Sequence, residues 1–151
     1  MHRPTLLLLF LSLATLSYAQ KEQAVTETGA VKIVPLVDSL DHPWGLAFLP
    51  DGRLLITERA GHLRILDLRD TTLSEPVPGT PEVLAWGQGG LLDVALDPDF
   101  ADNSYVYLSY ADPGPDSTAS SAFGRGRWVD DRIEGFEPLF VQEPKLKHEN
   151  H

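Results

Sequence analysis

The chain has 151 residues, with 12 Lys and Arg against 22 Asp and Glu, and no cysteine. A net charge of −10 repels phosphate backbones and excludes nucleic acid as a partner, while the lack of cysteine excludes disulfide crosslinks. The length suffices for one domain with a real core, which packing alone must stabilise.

Residues 1–19 start with His2 and Arg3, run apolar from 6 to 16 apart from Ser12 and Thr15, and end on Ser17-Tyr18-Ala19. Small residues at 17 and 19 are what a signal peptidase reads, so cleavage is expected before Gln20 and a secreted or periplasmic location follows. The alternative is a membrane anchor, but the run is well short of the ~20 residues that span a bilayer. Without Arg3 the exported part carries −11.

Residues 20–29 are rich in Lys, Glu, Gln and Thr and read as a flexible leader. Val31-Lys32-Ile33-Val34-Pro35-Leu36-Val37 predicts an edge strand or a strand end, because proline donates no ladder hydrogen bond. A turn-rich loop at 39–45 leads into the short strand Leu46-Ala47-Phe48-Leu49, and Pro50-Asp51-Gly52-Arg53 is a tight turn by residue type. Leu54-Leu55-Ile56-Thr57-Glu58 predicts a strand, Arg59-Ala60-Gly61 a turn, and His62-Leu63-Arg64-Ile65-Leu66-Asp67 a half-solvated strand by its alternation. Residues 31–67 therefore form one four-strand meander, or three strands with a separate first one.

Gly87-Gln88-Gly89-Gly90 then interrupts the generic pattern, with the apolar run Leu91-Leu92-Asp93-Val94-Ala95-Leu96 leaving it directly. Glycine permits positive φ and close approach of a flat ligand, so Gln88 is the one side chain such a loop presents. Leu46-Ala47-Phe48-Leu49-Pro50-Asp51 recurs 48 residues later as Val94-Ala95-Leu96-Asp97-Pro98-Asp99, each followed by another strand, the second being Tyr105-Val106-Tyr107-Leu108-Ser109-Tyr110. Residues 111–121 read as a long surface loop, 122–129 as a strand, and 133–142 as a turn and strand.

Self-similarity at roughly 40–50 residues, built from strands and turns without a sustained helical period, predicts an all-β fold of the β-propeller type. Two similar hairpins in a sandwich are the alternative. Propellers need ~4–8 blades, and only two to three fit here. The expectation is therefore a propeller domain over residues 30–151 that is incomplete at its C-terminal end, the front part of a longer protein.

The segment Leu40-Asp41-His42-Pro43-Trp44-Gly45-Leu46-Ala47-Phe48-Leu49-Pro50-Asp51-Gly52, residues 87–100 and residues 105–110 together resemble the soluble aldose sugar dehydrogenases. These are periplasmic quinoproteins of the glucose/sorbosone dehydrogenase family that use pyrroloquinoline quinone (PQQ). The likeness covers about residues 31–151, and Gly-Gln-Gly-Gly-Leu-Leu-Asp-Val is its most specific part. It implies a propeller of about six blades with PQQ and calcium on its top face, closed by a first strand that would be residues 31–37. It further implies that Gln88 contacts PQQ or the sugar, and that His151, after Asn150, is the catalytic base. The Gly-Arg-Leu segment that follows this histidine in the family is not present, and the calcium ligands are implied to lie beyond residue 151.

The chemistry suits those residue types. Oxidising an anomeric hydroxyl removes its proton and a hydride from the carbon bearing it. An imidazole with an ordinary pKa near ~6.5 accepts the proton at neutral pH, and the quinone takes the hydride. An amide both donates and accepts, so Gln88 can orient an oxygen without adding charge. Without the resemblance, Gln88 reads as a polar loop residue and His148 and His151 as exposed histidines. His148-Glu149-Asn150-His151 lacks the helical spacing of a zinc motif, His42 reads as loop packing, and Asp97-Pro98-Asp99 as a turn, not an EF-hand. The reading is a PQQ-dependent dehydrogenase acting on an aldose sugar. Its rival is a non-redox propeller, a lactonase-like hydrolase or a sugar-binding module. Nothing in the residues specifies the electron acceptor.

Overall fold

A computed structural model describes residues 23–27 and 29–147. The export segment at 1–19, His148 and His151 lie outside the described residues. The chain divides into two units, residues 1–35 and 36–151.

In the first unit, β1 (Gln23–Thr26) and β2 (Gly29–Lys32) pair antiparallel, with Thr26 opposite Gly29. Four of the residues read as leader are therefore a strand. The strand foreseen over 31–37 ends at Lys32, since Pro35 has no N–H to offer a ladder and residues 33–37 join no strand among the described residues.

The second unit holds two antiparallel meanders. The first runs β3 (Pro43–Phe48), β4 (Leu54–Glu58), β5 (His62–Asp67) and β6 (Thr72–Leu73). The second runs β7 (Leu91–Leu96), β8 (Tyr105–Pro113), β9 (Thr118–Val129) and β10 (Arg132–Val141), and β11 (Leu146–Lys147) pairs with the start of β9. A single helical turn, α1 (Phe100–Asn103), joins β7 to β8. The first meander thus has four strands, but its fourth is β6 and residues 31–32 belong elsewhere; a two-residue strand leaves no alternation to read. The loop foreseen at 111–121 shrinks to residues 114–117. Ala111, Asp112 and Pro113 face Ser121, Ser120 and Ala119 in the ladder, so pairing with β8 overrides a loop-like composition.

The 48-residue repeat is structural. Register slips between Pro43 and Leu46 in β3 and between Leu91 and Val94 in β7, the same bulge 48 residues apart. Each bulge bends the strand that opens its meander.

The core lies between the two sheets. Leu49, Leu55, Leu63 and Ile65 of the first meet Leu91, Val94, Val106 and Leu108 of the second, and Val77 of the connecting segment fills the gap. Leu54, Ile56 and Leu66 pack on the opposite face, so all five residues of β4 are buried. That double burial is what a blade between neighbours requires. Leu46 and Phe48, across the ladder from Ile56 and Leu54, remain more than half exposed on that opposite face. On the far side of the second sheet, Phe123 and Phe140 stack with ring centroids 5.8 Å apart, both exposed.

One hydroxyl crosses the apolar seam. Thr57 is fully buried; its Oγ1 donates to the Leu92 carbonyl and accepts the Gly45 N–H at 2.9 Å. Thr57→Val keeps the volume and orphans both partners. It is expected to destabilise the full-length protein by about 1–3 kcal/mol in urea unfolding; an unchanged midpoint would show that the hydroxyl contributes nothing.

Candidate functional site

An antiparallel meander alternates direction, so its connections fall at two ends. Residues 59–61, the segment ending at Gly90, residues 114–117 and β11 gather at one end. Residues 50–53, α1 and residues 130–131 lie at the other. That other end is clamped by the Arg53 guanidinium, which donates to both oxygens of Asp131 at 2.8 Å. The hydrogen bonds to Asp131 are the leading reason the Arg53 pKa is raised.

At the first end, Gln88 is exposed and lines an open pocket of about 290 Å³ with Gly89, Tyr110, Ser120, Ser121 and Lys147. Gly89 is tightly packed: a Cβ there would lie 3.0 Å from the Leu84 carbonyl oxygen and 3.2 Å from that of Trp86. Gly90 has φ +147°, and a Cβ there would collide with the Arg59 carbonyl. Only glycine fits that position. Tyr110 is buried; burial first, and Asp112 second, push its phenol above the usual range, so it stays neutral. Lys145 pairs with Asp112 and donates to the Pro113 carbonyl at 2.7 Å, which pins the chain just before β11 and hence the position of Lys147.

Sequence reasoning singled out Gln88 and missed Ser120 and Lys147. The Ser120 Oγ is buried with no hydrogen-bond partner, a condition that costs about 1–3 kcal/mol unless something bonds to it. A serine in a Ser- and Thr-containing stretch carries no sequence mark of this. His151 lies outside the described residues. His42 is exposed with φ 50°; its ring nitrogen Nδ1 contacts the Asp41 carboxylate and its carbonyl accepts the Arg59 N–H at 3.1 Å. It serves as a backbone anchor and not as packing.

Among the described residues, no group of three or more His, Asp or Glu is placed to hold a metal ion. Asp97 closes a turn, as its neighbours suggest: its carboxylate accepts the Asp99 N–H at 2.9 Å and the Tyr107 hydroxyl at 2.8 Å. The Asn103 side chain, the Asp99 N–H and Tyr107 together hold the Asp97 carboxyl below its ordinary 3.8.

Two four-stranded meanders packed face to face, with the connections of one end gathered around a polar pocket, define consecutive blades of a β-propeller. A family model described as Glucose / Sorbosone dehydrogenase matches residues 40–151. The chain belongs to the glucose/sorbosone dehydrogenase family. It is 49% identical over 124 residues to the aldose sugar dehydrogenase YliI of Escherichia coli (strain K12), covering 80% of this chain and 33% of that protein. The crystal structure of the soluble aldose sugar dehydrogenase from Escherichia coli in the apo form matches with TM-score 0.72 at 50% identity, over 77% of this chain and 34% of that one. The PQQ-bound aldose sugar dehydrogenase from Streptomyces coelicolor matches with TM-score 0.55 at 26% identity, over 84% and 36%. The chain spans about a third of the length of these relatives.

The Asp97 turn generates a pH prediction. Its folded carboxyl titrates below the unfolded one, so the stabilisation is fully present above the ordinary 3.8 and is lost as pH falls through the lowered folded value. Urea midpoints of the full-length protein from about pH 5 downward should therefore fall less steeply in Asp97→Asn than in wild type. Parallel acid limbs would remove Asp97 from that dependence.

Proposed function

We propose that the full-length protein oxidises the anomeric hydroxyl of aldose sugars to the lactone, using PQQ as hydride acceptor with calcium beside it. Among the described residues no group of three or more acidic or histidine side chains is placed to hold that calcium. The observation that carries this reading is the pocket around Gln88, in a chain of the glucose/sorbosone dehydrogenase family.

The pocket residues fit a flat, oxygen-rich quinone bearing carboxylates. Gly89, Ala111 and Ala119 keep part of its lining small, Gln88 supplies an amide, Ser120 an unpartnered hydroxyl and Lys147 an ammonium. Ser120 and Lys147 would bond to carboxylate oxygens, and Gln88 to a quinone or sugar oxygen without adding charge. When bound, PQQ supplies the hydride acceptance that no side chain provides.

His151 takes the hydroxyl proton as a neutral imidazole. The other blades of a propeller of about six cover the exposed Leu46 and Phe48 face and the Phe123 and Phe140 face. Residues 1–19 direct export, and the mature protein works outside the cytoplasm, secreted or periplasmic.

The test is glucose-dependent reduction of an artificial electron acceptor by the full-length protein with PQQ and calcium. His151→Ala should lower kcat by about 100-fold or more, with His148→Ala near wild type. Calcium-dependent lactone hydrolysis with no dye reduction would replace this reading with the hydrolase one.

A further inference from the structure

We infer that Arg59 is a positioning residue for Gln88, holding the glycine loop on both sides of it; the inference rests on Gln88 contacting ligand. A loop of three glycines around one glutamine has almost no side chains with which to pack itself, and glycine carries the largest backbone freedom. Its shape has to be imposed from outside.

Two of the bonds that impose it come from one residue. The Arg59 Nη1 donates to the Gly87 carbonyl at 2.9 Å, and the Arg59 carbonyl accepts the Leu91 N–H at 3.1 Å. Between them, the Gly89 N–H donates to the Trp86 carbonyl at 2.8 Å and the Gly90 carbonyl accepts the Ala111 N–H at 2.8 Å. The aliphatic stem of Arg59 lies along Gly90, with its Cγ 2.6 Å from where a Cβ would stand. Arg59 thus grips the loop before and after Gln88, by guanidinium, stem and backbone.

Arg59 is itself held firmly. Its N–H donates to the His42 carbonyl at 3.1 Å, and the Gly61 N–H closes the turn on the Glu58 carbonyl at 3.0 Å. The adjacent Glu58 carboxylate, 1% exposed, accepts the Asp41 N–H at 2.8 Å and lies 3.3 Å from the Arg64 guanidinium. A charge-assisted bond from so fixed a base restricts a glycine loop more than a bond from a mobile surface arginine. In the sequence Arg59 reads only as part of a turn.

The test uses the full-length protein. Arg59→Met keeps the stem and deletes the guanidinium, and Arg59→Lys returns a cation. Amide hydrogen exchange needs no cofactor: residues 87–91 should exchange about tenfold faster in Arg59→Met, with β8 and β9 unchanged and partial recovery in Arg59→Lys. In the PQQ- and calcium-loaded enzyme, Arg59→Met should lower kcat about tenfold with a smaller change in KM, and should cost nothing further in a Gln88→Ala background. Unchanged exchange, or losses that add in the double variant, would overturn the role of Arg59. Full turnover in Gln88→Ala would overturn the reading of Gln88 and the proposal with it, even with exchange still responsive.

Discussion

Three consecutive side chains at the end of β4 reach in three directions, and the arrangement of the two blades depends on them. Thr57 crosses the seam to the Leu92 carbonyl, Glu58 takes the Asp41 N–H ahead of the first meander, and Arg59 takes the Gly87 carbonyl ahead of the second. The surrounding seam is leucine, isoleucine and valine, which bury well in many relative settings of two sheets. Apolar contact is non-directional, whereas a buried donor or acceptor without its partner costs about 1–3 kcal/mol. The buried Thr57 tie across the seam therefore specifies one setting of the blades more than it adds net stability.

That setting has a consequence at each end of the sheets. At one, Arg53 and Asp131 meet as a two-point ion pair between the turns of neighbouring blades. At the other, the connections are poor in side chains and rich in glycine, so the blades converge on an opening. Gln88, Ser120 and Lys147 come from a loop, a central strand and a late two-residue strand, yet they line one pocket. A propeller produces such convergence because successive strands of every blade deliver alternate turns to the same end.

The pocket lies at the end of the blades where Gln88 stands. Leu92, Ala119 and Leu146 line it beside Gln88, Ser120 and Lys147, and the Tyr110 phenol in its wall stays neutral. Among the described residues, the one buried side-chain hydroxyl without a partner, that of Ser120, stands in that wall as well.

Local patterns determined much of this molecule. Proline and glycine set the turns at 50–53 and 59–61, and the 48-residue repeat announced two meanders. The matching bulges in β3 and β7 came from the structure, as did a β5 that lies inside its sheet with Leu66 buried and not as a half-solvated outer strand. The glycine loop around Gln88 was legible because it is a contiguous run whose backbone demands are written in its residue types. Other features were settled only by pairing at a distance: β6 against β5, residues 118–121 against β8, and β2 against β1 instead of continuing through Pro35. The same holds for Ser120, Lys147 and Arg59, whose partners lie far along the chain or across the seam. An ordinary serine or arginine acquires a role only from what the fold sets beside it, and that neighbour is chosen by the packing of whole sheets, which no local stretch of residues encodes.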